Sequence, residues 1–220
     1  MNVSNHYDER YWEWQRIIGE FGGRANRHKF SKLINPEDCV IDFGCGGGYL
    51  LASLNCCKRI GIEPNQAASS QLKELNIQFF ESCAHALEEL GEEVADVVVS
   101  NHALEHVLEP LEELKRLWCL LKPGGRIVFY VPCDSFRRKY CPDNIDHHLY
   151  SWSPQNIGNL FSEAGYRVIS VKSRLYKWPP GYLKFARLGD PLFRFICLVW
   201  GRLDRSWVQI EIRAVKERRD

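Results

Sequence analysis

The run Asp42-Phe43-Gly44-Cys45-Gly46-Gly47-Gly48 follows the apolar pair Val40-Ile41 and precedes Tyr49-Leu50-Leu51. Glycines at the point where a strand turns into a helix let the backbone approach a ligand, because no side chain stands in the way. A dinucleotide loop has the spacing G-x-G-x-x-G, but counted from Gly44 its last position here is Tyr49, which weakens a pyrophosphate reading. Asp42 argues in the same direction, since a carboxylate just ahead of the loop repels phosphate and attracts an ammonium group. Glu63 stands 19 positions after Gly44, where a carboxylate can accept hydrogen bonds from both ribose hydroxyls. A cationic, phosphate-free nucleoside is the ligand that fits these residues.

Histidines supply the candidates for proton transfer. His102 and His106 lie near the end of an apolar run, and His147 and His148 follow a later one. An imidazole there could take a proton near neutral pH. His102 and His147 are the candidate bases. Asp146-His147-His148 has the donor types of a transition-metal site. Adjacent loop histidines usually do not both turn inward, however, and no further ligands stand at a recognisable spacing, so no metal site is expected.

The elements that position these residues alternate. Strands are expected at Cys39–Phe43, Arg59–Ile62, Ile77–Phe80, Asp96–Ser100, Arg126–Val131 and Tyr166–Val171. Between them lie helical patterns beginning at Tyr49, over Pro64–Leu75, near Ala84–Leu90, over Pro110–Leu121 and from Ser153-Pro154 to Gly165. Lys122-Pro123-Gly124-Gly125 is expected to end the Pro110 helix sharply. The alternation of Val208, Ile210, Ile212 and Ala214 with polar residues predicts an antiparallel last strand. The expected fold is a Rossmann-like three-layer α/β sandwich, with a seven-stranded, mainly parallel sheet and an antiparallel C-terminal strand.

A single domain over 1–220 is expected, with two additions. Residues 1–35 form an aromatic preface, read as two short helices broken at Gly22-Gly23, in which Tyr7, Tyr11, Trp12 and Trp14 could form a lid. Residues 172–205 form an insertion with eight basic and two acidic residues around the apolar run Pro191–Trp200. That run is too short to span a bilayer, but it suits cover over an acceptor, a groove for an anionic group, or peripheral membrane contact through 177–205.

The sequence resembles the class I S-adenosylmethionine-dependent methyltransferases through five pieces in order: Val40–Gly48, Gly61-Ile62-Glu63-Pro64, Asp96–Ser100, Leu104-Glu105-His106-Val107 and Leu121–Arg126. The resemblance spans about residues 36 to 171. It implies S-adenosyl-L-methionine as cofactor, with Asp42, Gly44 and Gly46 at its methionine end and Glu63 on its ribose. It further implies that Cys83 and Ala84 meet the adenine, with Glu81 the nearest acid, and that the backbone of Asn101 meets the methionyl part.

Composition narrows the acceptor. Twenty-nine Lys and Arg against 28 Asp and Glu give a net charge of +1, so no general field favours nucleic acid. Ser100-Asn101-His102-Ala103 lacks the pattern of nucleic-acid amino methylation, and Pro132-Cys133 resembles cytosine-modifying pairs only superficially. The expected reaction is methyl transfer to a small-molecule or saccharide-like acceptor, which the basic insertion suggests is anionic. The alternatives are a non-catalytic S-adenosylmethionine-binding regulator and, less favoured, a nicotinamide-dependent oxidoreductase. Nine cysteines without a repeated Cys-x-x-Cys pair, no secretory pattern at the start and no 18-residue apolar stretch predict a cytoplasmic protein.

Overall fold

The computed structural model describes residues 9–135, 139–142 and 144–218, with side chains from Gln15 onward. In chain order it contains α1 (Glu9–Asn26), β1 (Cys39–Phe43), α2 (Tyr49–Ser53), β2 (Lys58–Ile62), α3 (Ser69–Glu74), β3 (Gln78–Phe80), α4 (Cys83–Leu90) and β4 (Ala95–Asn101). It continues with α5 (Pro110–Leu120), β5 (Leu121–Asp134), α6 (Pro154–Glu163), β6 (Arg167–Arg174), α7 (Tyr182–Ala186), α8 (Asp190–Leu203) and β7 (Trp207–Val215).

The strands form one seven-stranded sheet in the order β3-β2-β1-β4-β5-β7-β6. β7 is antiparallel to both β5 and β6, and the other pairs are parallel. All five residues of β1 are buried, as a central parallel strand covered on both faces requires. One face carries Phe43, Val98, Ile127 and Phe129 against Leu114 and Leu117 of α5 and Phe161 of α6. The other carries Val40, Val97, Val99 and Val128 against Phe30, Leu51, Leu54 and Leu72. Strand order reverses between β1 and β4, so their carboxyl ends open a crevice where ligands of such sheets bind.

Two expectations are corrected. α1 runs through Gly22-Gly23 as one 18-residue helix, because these glycines serve close packing and do not break the helix. A Cβ on Gly23 would lie 2.5 Å from the Tyr49 carbonyl carbon, and one on Gly22 would lie 3.2 Å from the Trp178 ring. The second correction concerns Lys122–Gly125. The helix stops before these residues, at Leu120, one residue short of the expected Leu121, and the strand pairing already starts at Leu121. While β4 advances from Ala95 to Val97, its partner advances from Leu121 to Arg126, and this bulge absorbs the glycines. The insertion forms α7 and α8, and β6 reaches three residues past the expected Val171. Ser153 caps α6 as expected, in a reciprocal capping box with Asn156.

Of the proposed aromatic lid, Tyr7 lies outside the described residues, and Tyr11, Trp12 and Trp14 are described only as α1 backbone.

Candidate functional site

The loop after β1 is held by backbone bonds to β2. The Gly44 and Cys45 amides both donate to the Ile62 carbonyl, at 2.9 and 3.2 Å. Gly44 and Gly46 have φ of 72° and 51°, a region that glycine enters without steric cost. At Gly44 a Cβ would stand 2.2 Å from that of Ala103, so any side chain would close the floor of the crevice. Glu63 ties the same loop to the end of β2. Its Oε2 accepts from the Gly46 amide at 2.9 Å and its Oε1 from the Asn65 amide at 3.0 Å.

Above this floor opens a cavity of about 750 Å3. Its walls come from α1, the glycine loop, the end of β4, the segment before α7, and Trp207 and Gln209 of β7. A smaller cavity of about 80 Å3, lined by Glu63, Pro64, Ala103 and Val107, adjoins it. Gln15, Gly44 and His102 border both. The size suits a nucleoside-sized ligand together with a second small molecule.

The charges in the larger cavity are divided. Asp42 is buried at the loop end, and among the described residues no side chain or amide bonds its carboxylate; burial, then the nearby Glu63 charge, push its pKa up to about 8. Burial likewise raises Glu63, against the two amide bonds that favour its charged form. Lys29, which lines the same cavity, donates to Asn101 Oδ1 at 2.8 Å and Gln209 Oε1 at 2.7 Å. Its ammonium lies 4.7 Å from the centre of the Tyr130 ring. Both acceptors are neutral amides, and burial lowers the lysine to about 7, with only the more distant Glu211 charge opposing. Lys177 also faces the cavity, paired with Asp204 at 2.8 Å.

Of the residues singled out in the sequence, Asp42, Gly44, Gly46, Asn101 and His102 line the large cavity, and Glu63 the small one. Cys83 turns its thiol into the core toward Glu113, where burial drives its pKa far up, and Ala84 lies on the surface of α4; neither lines these cavities. His147 is exposed and lines neither, although Asp146 reaches the larger one. The sequence reading passed over Gln15, Lys29, Lys177, Trp207 and Gln209. Lys29 offered no signal, because Arg27-His28-Lys29 looks like an ordinary solvated basic run.

A glycine floor that a Cβ would fill, an unbonded carboxylate for an ammonium group and a second carboxylate at the end of β2 fit S-adenosyl-L-methionine. The fold and the form of this site are those of the class I S-adenosylmethionine-dependent methyltransferases. The chain belongs to the methyltransferase domain family, whose sequence profile matches residues 6–171. It is 35% identical over 98 residues to a ubiquinone biosynthesis O-methyltransferase of Pseudomonas fluorescens, covering 41% of this chain and 42% of that protein. The corresponding enzyme of Ruegeria pomeroyi is 35% identical over 97 residues, covering 39% and 38%. The chain thus spans about two fifths of the length of the curated relatives it matches.

A methyltransferase structure from Archaeoglobus fulgidus superposes with a TM-score of 0.63 at 19% identity, covering 95% of this chain and 100% of that one. Phosphoethanolamine N-methyltransferase 2 of Haemonchus contortus, solved with S-adenosyl-L-methionine, gives 0.59 at 15% identity, covering 88% and 52%. The [4+2]-cyclase SpnF gives 0.62 at 16% identity, covering 94% and 84%, so this likeness speaks for the fold alone.

Proposed function

We propose that this protein methylates an oxygen of a small molecule that is acidic or anionic near the reacting atom and apolar beyond it. The observation that carries the reading is that Asp42 and Lys29 line one cavity while Glu63 lines the smaller one adjoining it. Asp42 would receive the cofactor's ammonium group and Glu63 its ribose hydroxyls, while Gly44 and Gly46 leave room for its backbone contacts. When bound, the cofactor supplies a methyl group already activated by a sulfonium. The protein's own work is therefore alignment, exclusion of water and management of the acceptor's proton.

Lys29 is placed to hold the acceptor oxygen as an anion, because its present partners are neutral amides that an oxyanion would outcompete. His102, bordering both cavities, is the group placed to take the proton. Indoles of Trp178, Trp200 and Trp207 wall the chamber and exclude water. The names of the O-methyltransferase relatives support oxygen as the methylated atom.

A second, apolar cavity of about 390 Å3 shares Pro179, Pro180 and Trp200 with the first and continues along Phe185, Phe195 and Val199. This continuity supports an acceptor with an apolar extension. The same α7–α8 segment exposes Leu183, Leu188, Phe195 and Leu203 beside Lys184, Arg187 and Arg202, a pattern that supports peripheral contact with an anionic membrane. No described helix is long and apolar enough to cross a membrane.

The test is transfer of labelled methyl from S-adenosylmethionine to a panel of phenols and carboxylic acids with and without alkyl tails. Transfer to tailed phenols, with kcat/KM reduced about 10- to 100-fold in Lys29→Met at unchanged cofactor affinity, is expected. Cofactor binding without transfer to any acceptor would favour the non-catalytic regulator, against which the open chamber already argues.

A further inference from the structure

Glu105 follows β4 in the single turn Leu104–His106, and its side chain is fully buried. Among the described residues, neither of its carboxylate oxygens accepts a hydrogen bond. A buried carboxylate without compensation is strongly unfavourable, so a group left in this state calls for a missing counter-charge. Among the described residues its ion-pair neighbours are histidines: His102 Nδ1 lies 3.4 Å and His106 Nε2 4.0 Å from Oε1.

The fold brings a third imidazole to the same point. The Leu149 and Tyr150 amides both donate to the Glu105 carbonyl, at 2.9 and 3.1 Å, and so bind the loop after β5 across this turn. That contact sets the His148 ring 5.0 Å from the His106 ring, at 76° to it. One donor atom from each of Glu105, His106 and His148 then lies within 4.8 Å of the other two.

We propose that Glu105, His106 and His148 bind a divalent transition-metal ion of the borderline class, such as Zn2+ or Co2+. Two imidazoles and one carboxylate are the donor set such ions prefer, whereas Mg2+ and Ca2+ select oxygen. Metal bonds of about 2.0 Å in a tetrahedral site hold donors about 3.3 Å apart, so the three side chains draw together by about an ångström on binding. Behind His148, Asp134 Oδ2 lies 3.7 Å from Nδ1, the placement from which a carboxylate orients a ligating imidazole through its other nitrogen.

Three protein ligands leave a coordination position for water or another oxygen. His106 borders the small cavity and His102 borders both, so the ion would lie one side chain from the chamber. The pairing of Glu105 with these histidines was not legible in the sequence, which drew attention instead to the adjacent trio Asp146-His147-His148.

The experiment is titration of the reduced, chelator-treated full chain with Co2+ and Zn2+, read by visible absorption and calorimetry. Reduction matters because the nine cysteines are free and could compete for metal. One equivalent of Co2+ should bind with ligand-field bands and no thiolate charge-transfer band, and excess Mg2+ should not displace it. His148→Ala, at a half-buried loop position, and Glu105→Gln should each weaken binding at least tenfold, with folding checked by circular dichroism. Should Glu105→Gln fail to fold, His148→Ala decides alone. No stoichiometric binding, or binding that persists in His148→Ala, would overturn the proposal and leave a protonated histidine as the counter-charge of Glu105. The readout is binding alone, so the result stands whichever acceptor the enzyme takes.

Discussion

Asp42 is the residue at which the two functions of the site conflict. An unbonded buried carboxyl with a pKa near 8 is a liability to the free protein and an asset once an ammonium group lies beside it. The sign follows from linkage. Below about pH 4 the group is protonated in folded and unfolded chains alike; as pH rises toward about 8 the folded state keeps a proton that the unfolded chain releases, and stability falls. Asp42→Asn should therefore melt increasingly above the wild type as pH is raised from 5 to 8, read as the difference in Tm. A constant difference across that range would contradict the burial argument.

Cofactor binding near pH 7 should release a proton from Asp42, visible in calorimetry as a dependence on buffer ionisation that the Asn variant loses. At this scale the glycine loop, Asp42 and Glu63 were legible, because strand, loop and acid stand at a spacing that geometry constrains, whereas Asn101 was reached only through the family resemblance. Lys29, Gln209 and Trp207 were not, because segments far apart in the chain bring them to the cavity.

At the scale of elements, period and capping identified the strands and most helices, since an alternating core pattern leaves few registers that bury every apolar side chain. What failed was the meaning of glycine. Gly22-Gly23 signals a break when only local propensity is weighed, yet α1 accepts that cost, roughly 1 kcal/mol per glycine, in exchange for contact with α2 and Trp178. Gly23→Ala should be destabilising by about 1–3 kcal/mol, because its Cβ meets the backbone of Tyr49 and Leu50, at 2.5 and 2.6 Å. Gly22→Ala meets only the far edge of an indole at 3.2 Å and should cost less or stabilise the helix. Chemical denaturation ranks the two, and the reverse order would show that α1 does not pack here as described.

On the scale of the whole molecule, the sheet supplies the floor of the crevice, and the segment between β6 and β7 supplies part of its wall. The segment's basic and apolar composition and its suitability as cover over an acceptor were legible, but the packing of α8 against α1 was not, because it joins segments far apart in the chain. Phe21 of α1 meets Trp178, Tyr182 and Phe193 with ring centroids 4.9 to 5.6 Å apart, which joins the preface and the insertion into one roof. Vesicles rich in anionic lipid should carry the protein in flotation, and Phe195→Glu, at a side chain 62% exposed, should release it without lowering Tm. Absence of the wild type from the lipid fraction would remove the membrane reading and leave the chamber argument intact.

The crevice floored by the glycine loop and closed at β2 by Glu63 is expected to take S-adenosylmethionine. Parallel calorimetric titration with S-adenosylmethionine, S-adenosylhomocysteine and NAD tests this expectation most directly. Micromolar binding of the first two is expected, weakened about 10- to 100-fold by Glu63→Ala and unchanged by Lys29→Met. Binding of NAD alone, or S-adenosylmethionine binding indifferent to Glu63, would contradict it.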